Sequence, residues 1–115
     1  MIKYTTLYFN PRFFNYMHIH EYQAKDLFKK NNINVPNFIV ISNADDTAKA
    51  CEKLGGSVWV VKAQVHAGGR GKGGGVIVCK DIQDAVNASK KLLGSNLITP
   101  QTDSNGQPVN EVIIE

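Results

Sequence analysis

A glycine-rich loop between two short apolar runs constrains this chain more than any other feature of its sequence. Six of the eight residues from 68 to 75, called here the flap, are glycine. This density costs backbone entropy unless the loop must approach something closely. Successive main-chain N–H groups can form a nest for phosphate oxygens, and Arg70 and Lys72 add positively charged donors. The flap therefore has the chemistry of a polyphosphate-binding site.

Two familiar phosphate-binding loops do not fit the surrounding sequence. A Walker A loop places Ser or Thr directly after its lysine, whereas a glycine follows Lys72. The dinucleotide fingerprint is formally present as Gly69, Gly71 and Gly74, but that motif opens a helix, and the apolar run 76–79 predicts a strand instead. The remaining type is a loop between two antiparallel strands that folds over phosphates, as in protein kinases.

Lys62 is the candidate for the strand lysine that accompanies such a loop. It follows the apolar run 58–61, which predicts a strand buried on both faces. An unpaired ammonium group is costly there, so we expect an anionic partner nearby. A lysine that extends from the strand end into solvent is the plain alternative. Lys62 together with the flap favours nucleotide phosphate.

Hydrophobic periodicity predicts a mixed α/β lobe. In the first helix, Ala24, Leu27 and Phe28 are expected to share the buried face, and Asn31-Asn32 suits the C-terminal end. Ser42 or Asn43 is expected to cap the second helix. The predicted helices cover about 21–30, 44–54 and 82–93. The predicted strands cover 38–41, 58–61, 76–79, 97–99 and 109–115. A loop that includes Pro108 is expected between the last two strands.

Charge, hydropathy and cysteine content exclude several classes of protein. Of the net charge of +3, Lys3 and Arg12 supply two units, which leaves +1 for residues 17–115 and gives no basis for a nucleic-acid partner. No apolar run is long enough to predict a membrane span. Cys51 and Cys79 have neither zinc-site spacing nor a disulfide framework, and the three histidines have no ligand spacing.

Residues 1–16 differ in kind from the rest of the chain. They contain six of the nine Tyr and Phe residues, no acidic residue and no clear period. They lack the apolar core of a secretory signal and are poor in the Arg and Ser of a transit peptide. We therefore expect an extension outside the fold and dispensable for it, with the folded part starting at Met17.

Three separated segments closely resemble the β subunit of ADP-forming succinate–CoA ligases. They are residues 17–25, 60–72 and 101–110, and the likeness runs in register from 17 to 115. The resemblance implies an α/β fold of the ATP-grasp type, of which residues 17–115 form the N-terminal portion. This portion combines a mixed sheet with helices and the glycine-rich flap.

The resemblance also implies an activity that uses ATP/ADP. The family joins succinate to CoA in the citric acid cycle, with Mg²⁺ and with a phosphohistidine from a separate α subunit. It works in the bacterial cytoplasm or, in eukaryotes, the mitochondrial matrix. Its metal ligands and α-subunit contacts follow the part matched here, so residues 1–115 alone are expected to be inactive. An ATP-grasp ligase for a related acid such as malate, and a non-catalytic nucleotide-binding remnant, remain alternatives.

Site residues are carried over by position. Lys62 and the segment Gly69, Arg70 and Gly71 match residues that bind the phosphates. Glu115 matches an acidic residue whose carboxylate can accept hydrogen bonds from the base or ribose. Pro36 occupies a position that is Pro in ATP-using members and Gln in GTP-specific ones. Pro offers no side-chain donor or acceptor to a guanine edge, whereas Gln offers both.

Overall fold

The computed structural model describes residues 19–115, so the predicted extension at residues 1–16 lies outside the described range. In the described part, helices and antiparallel strands alternate much as the periodicity predicts. The helices are α1 (Glu21–Lys30), α2 (Thr47–Leu54) and α3 (Ile82–Leu92), and the strands are β1 (Ile39–Ile41), β2 (Trp59–Ala63), β3 (Val76–Cys79), β4 (Asn96–Leu97), β5 (Gln107–Pro108) and β6 (Val112–Ile114).

The main sheet has the strand order β1-β6-β2-β3, and every neighbouring pair is antiparallel. The last strand is therefore inserted between the first two, where Ile114 lies opposite both Ile39 and Val61. On the other side of β2, Ile77 lies opposite Val61. The predicted mixed α/β class is confirmed, and so is the antiparallel strand pair that carries the flap.

One face of the main sheet holds the hydrophobic core. Alternate residues of a strand point to the same face, so Trp59, Val61 and Ala63 lie together, and all three are buried against α2 and α3. The indole Nε1 of Trp59 donates a hydrogen bond of 3.0 Å to the Gly55 carbonyl, just after α2. Trp59 is therefore a core residue, and the cysteines are buried free thiols.

The opposite face of the main sheet, called here the charged face, carries Lys62. The prediction that 58–61 is buried on both faces is wrong, because Val58 is 55% exposed and β2 alternates between buried and half-buried residues. The reason is that α2 and α3 cover only one face. Ile113 of β6, opposite Lys62, is nevertheless fully buried on the charged face.

Helix α1 has the predicted bounds but presents a different face to the rest of the fold. Leu27 is 52% exposed, whereas Lys25 is buried, so the expected apolar face is wrong at Leu27. The helix meets charged side chains of the sheet rather than an apolar surface, which makes Lys25 the inward-facing residue. Asn32, with φ of 60°, adopts the left-handed conformation that ends the helix as predicted.

Side chains cap α3 and the short turn that leads into α2. Asn43 caps a single 3-10 turn, Ala44–Asp46, by accepting a 2.9 Å bond from the Asp45 N–H, and α2 continues from that turn. Asp81 caps α3 by accepting a 2.7 Å bond from the Asp84 N–H.

The strands after α3 are shorter than predicted. The expected strand 97–99 is wrong beyond Leu97, because Thr99 begins a turn in which its N–H donates to Thr102 Oγ1 at 3.0 Å. Pro108, expected in the loop, instead pairs with Asn96 in the β4–β5 ladder. The expected strand 109–115 is reduced to β6.

The flap rests on the turn that follows β4. Thr99 Oγ1 donates a 2.7 Å hydrogen bond to the Gly68 carbonyl, and the Gly68 N–H donates to Gln101 Oε1 at 3.2 Å. Within the flap, the Gly75 N–H donates to the Arg70 carbonyl at 2.7 Å. These bonds fix the base of the flap against the 99–101 turn.

A pair of glycine substitutions tests this packing. A Cβ on Gly73 would lie 2.5 Å from the Ile98 carbonyl oxygen, whereas a Cβ on Gly71 would meet no atom within 4 Å. We expect Gly73→Ala to lower the free energy of unfolding by about 1–3 kcal/mol through overpacking, and the matched control Gly71→Ala to have little effect. Urea unfolding followed by circular dichroism measures both, and equal stabilities would contradict the packing described.

Candidate functional site

Five charged side chains meet on the charged face of the main sheet and form what we call the charge cluster. Glu21 and Lys25 come from α1, Lys62 from β2, Arg70 from the flap and Glu115 from the residue after β6. All five are largely shielded, with side-chain exposures between 11% and 23%. Residues distant in sequence are therefore brought to one partly buried point.

Glu21 is the centre of the cluster. Its Oε1 lies 3.2 Å from Lys62 Nζ and 3.3 Å from Lys25 Nζ, and its Oε2 accepts a 2.6 Å hydrogen bond from Arg70 Nη2. Glu115 forms ion pairs with both lysines. Each carboxylate thus bridges cations from at least two elements of the fold.

The backbone explains why these side chains converge. Glu21 and Lys25 are one helical turn apart, a spacing at which side chains are neighbours. Glu115 exchanges backbone hydrogen bonds of 2.7 and 3.0 Å with Val60, which places it diagonally across from Lys62 on adjacent strands. Arg70 is fixed by a 2.8 Å bond from its Nη1 to the Ala63 carbonyl, at the end of β2.

A hydrogen bond also ties the start of α1 to the strand. The Tyr22 N–H donates to Gln64 Oε1 at 3.1 Å, and Gln64 follows β2 directly. This contact holds the first turn of α1, and with it Glu21, beside Lys62.

The electrostatics of the cluster favour the charged forms of its members. Partial burial opposes ionisation of Glu21, but the hydrogen bond and charge of Arg70 and the charges of Lys62 and Lys25 outweigh it and lower the pKa to about 2. Burial likewise opposes ionisation of Glu115, yet hydrogen bonds from Lys25 and Lys62 lower its pKa. Burial acts to lower the pKa of Lys62, but the hydrogen bonds and charges of Glu115 and Glu21 outweigh burial, so the pKa is raised overall.

The cluster has chemistry suited to a polyphosphate. Three cations face two carboxylates, so the cluster carries one net positive charge next to the glycine-rich flap. It does not suit a divalent metal, because both carboxylates are already paired with cations. Among residues 19–115, no group of three or more His, Cys, Asp or Glu side chains is arranged to hold a metal ion.

A polar cleft lies beside the start of α1. It has a volume of about 460 Å³ and is lined in part by His20, Tyr22, Gln64, His66 and Glu111. The rings of His20 and His66 stack with centroids 4.1 Å apart. Burial, then the charge of His66, lowers the pKa of His20. The two histidines therefore pack against each other.

The structure brings most of the predicted site residues together. Lys62, Arg70 and Glu115 touch common partners, and Gly69 and Gly71 flank Arg70 in the flap. Pro36 is not a member of the charge cluster and is exposed on the segment between α1 and β1.

Sequence reasoning missed two members of the cluster, Glu21 and Lys25. The anionic partner expected for Lys62 is supplied by the protein's own carboxylates, Glu21 and Glu115. The available signal was the i, i+4 spacing of opposite charges at the start of α1. That signal is common on solvated helices, so it did not distinguish an inward-facing pair.

Comparison with known proteins defines the family. The sequence profile of the ATP-grasp domain matches residues 18–115, which is most of the chain. The chain belongs to the ATP-grasp family. The expected fold class is therefore confirmed, and a nucleotide of the ATP/ADP type is the ligand class that the domain implies.

Several curated relatives of this ATP-grasp chain are named succinate–CoA ligase [ADP-forming] subunit beta. The protein of Ruthia magnifica subsp. Calyptogena magnifica is 58% identical over 99 residues, which are 86% of this chain and 26% of the relative. Those of Coxiella burnetii (strain Dugway 5J108-111) and Pseudomonas aeruginosa (strain UCBPP-PA14) are 54% and 50% identical, over 86% of this chain and 25% and 26% of the relatives. The resemblance stated from the sequence is confirmed.

The ATP-grasp chain spans about a quarter of the length of these relatives. Across residues 19–115, none of the helices combines the length and apolar character needed to cross a membrane.

Acid unfolding tests the charge cluster. A carboxyl whose pKa is lowered by folding stabilises the fold above its unfolded value, about 4.5, and loses that contribution as the pH falls toward 2. We expect Glu21→Gln to lower the free energy of unfolding by about 1 kcal/mol at pH 7, because the ion pairs of Glu21 with Lys62 and Arg70 are partly exposed. The difference in the free energy of unfolding between the variant and the wild type should shrink between pH 4.5 and 2. A difference that stays constant over this range would contradict the assigned contacts.

Proposed function

We propose that residues 17–115 form part of the nucleotide site of a succinate–CoA ligase β subunit and that Lys62, Arg70 and the flap hold the nucleotide phosphates. The observation that carries this proposal is the convergence of Lys62 and Arg70, from a strand and a glycine-rich loop, at one shielded point. The family assignment and the names of the relatives support it.

The individual roles follow from the chemistry of the groups. Lys62 supplies a compact charge, and Arg70 a planar fork that matches two phosphate oxygens. Gly69 and Gly71 allow the flap amides to approach the same oxygens without a side chain in the way. The positive φ of Gly69, 75°, is a conformation that few other residues adopt.

Glu115 and Pro36 are proposed to contact the nucleoside rather than the phosphates. Glu115 directly follows β6, where its carboxylate can accept a hydrogen bond from the ribose or the base. Pro36 leaves no side-chain donor or acceptor for a guanine edge, which favours ATP over GTP. Its exposed position leaves room for a ligand to reach it.

The activity of the whole enzyme is a further proposal, since the chain spans only about a quarter of its relatives. We propose that the complete protein couples ATP to the joining of succinate and CoA, together with an α subunit and Mg²⁺, in the cytoplasm of a bacterium. The described residues contribute the phosphate cradle. The residues that bind the metal and the acid substrate belong to other parts of the enzyme.

Alanine substitutions test the phosphate assignment. Lys62→Ala and Arg70→Ala should each raise the Kd for ATP by about 10- to 150-fold, because a hydrogen bond to a charged group contributes about 1.5–3 kcal/mol. Isothermal titration calorimetry on the 115-residue chain measures the effect.

The matched control is Lys90→Ala, which removes the same charge from the exposed last turn of α3. It should bind ATP as the wild type does. Thermal melting monitors folding in each variant. Equal ATP affinity in the wild type, Lys62→Ala and Arg70→Ala would overturn the assignment.

A further inference from the structure

Glu21 occupies the donor groups that the proposed function assigns to phosphate. Its Oε1 faces the Lys62 ammonium group at 3.2 Å and its Oε2 faces the Arg70 guanidinium at 2.6 Å. A carboxylate and a phosphate present the same kind of acceptor to these donors, namely paired anionic oxygens. Glu21 therefore stands where two oxygens of a phosphate would bind.

The N–H groups of Lys62 and Arg70 that face Glu21 cannot face a phosphate at the same time. Arg70 directs Nη1 to the Ala63 carbonyl at 2.8 Å and Nη2 to Glu21, so the face of its guanidinium fork that reaches the cluster is occupied. Lys62 already has Glu21 and Glu115 as partners. A phosphate that binds between the two cations, at the position of the Glu21 carboxylate, must displace that carboxylate.

Glu21 is better placed to leave than Glu115. Glu115 lies on the sheet and is held by two backbone hydrogen bonds to Val60. Glu21 lies in the first turn of α1 and has Lys25 beside it at 3.3 Å, one helical turn away. When Lys62 and Arg70 turn to a phosphate, Glu21 keeps a cation partner, which limits the free energy lost by its displacement.

We propose that Glu21 is a positioning residue that holds Lys62 and Arg70 in the nucleotide-free site and yields them to a polyphosphate. This inference rests on the proposed function, and it adds that the affinity of the site is set in part by competition between an internal carboxylate and the ligand. Glu21 keeps the two cations paired and correctly placed between ligands, at the expense of affinity. The probe is inorganic tripolyphosphate, with ATP measured in parallel.

Removing the carboxylate should tighten binding. Two unit charges about 5 Å apart in water interact strongly enough to change a binding constant about fourfold. Because Glu21→Gln removes the repulsion between the carboxylate and the phosphates, it should lower the Kd for tripolyphosphate and for ATP at least about fourfold. The control Asp26→Asn removes one charge from an exposed position of the same helix. It should change the Kd much less, because solvent screens that charge from the site.

A second set of variants separates competition from a structural role. In an Arg70→Ala background, Glu21→Gln should give a smaller gain, since one of the two donors it frees is absent. Glu21→Asp keeps the charge and the helix but shortens the side chain by one carbon. It should bind tripolyphosphate more tightly than wild type and less tightly than Glu21→Gln, which keeps the test informative if Glu21→Gln folds poorly.

The outcomes distinguish this inference from the proposed function. Tighter binding by Glu21→Gln and Glu21→Asp, with Asp26→Asn close to wild type, supports it. Unchanged or weaker binding by both folded Glu21 variants overturns the competition while leaving the phosphate site intact. If the wild-type chain binds neither tripolyphosphate nor ATP, or binds them as well as Lys62→Ala does, the phosphate site itself is wrong and the inference falls with it.

Discussion

The rest of the structure depends on the placement of the Lys62 ammonium group on a half-buried face of the main sheet. A charge in that position must be paired, since neither solvent nor apolar packing compensates it fully. The fold supplies Glu21 from a helix and Glu115 from the neighbouring strand. The inward-facing Lys25, the departure of α1 from an apolar face and the position of Arg70 all follow from that pairing. A polar cluster thus replaces hydrophobic contact on one side of the sheet.

The flap and the cluster are coupled through Arg70. The antiparallel β2–β3 pair holds the ends of the flap, and the turn at Thr99 holds its base. Arg70 then bends back to the Ala63 carbonyl and to Glu21. Arg70 thereby connects the loop to α1, so a ligand that attracts Arg70 acts on the flap and on the helix together.

Patterns with local causes could be predicted from the sequence, whereas patterns with tertiary causes could not. The bounds of α1, the cap at Asn43 and the antiparallel strands around the flap follow from periodicity and turn chemistry. The burial of Lys25 and the exposure of Leu27 depend on what lies across from α1, which periodicity does not report. Lys62 and Arg70 were identified because a strand-end lysine and a glycine loop are local signals. Glu21 was missed because its role depends on residues 41 and 49 positions away.

The central claim is that nucleotide phosphate binds on the charged face, between Lys62 and the flap. The most direct measurement is a titration of the ¹⁵N-labelled chain with ATP, followed by the backbone amide signals and the Arg70 Nε signal in NMR spectra. We expect the largest shifts at Gly69, Arg70 and Gly71 and around Lys62, and unchanged signals from the amides of α2, on the other face of the sheet. Shifts concentrated on α2 and α3, with the flap unchanged, would contradict it.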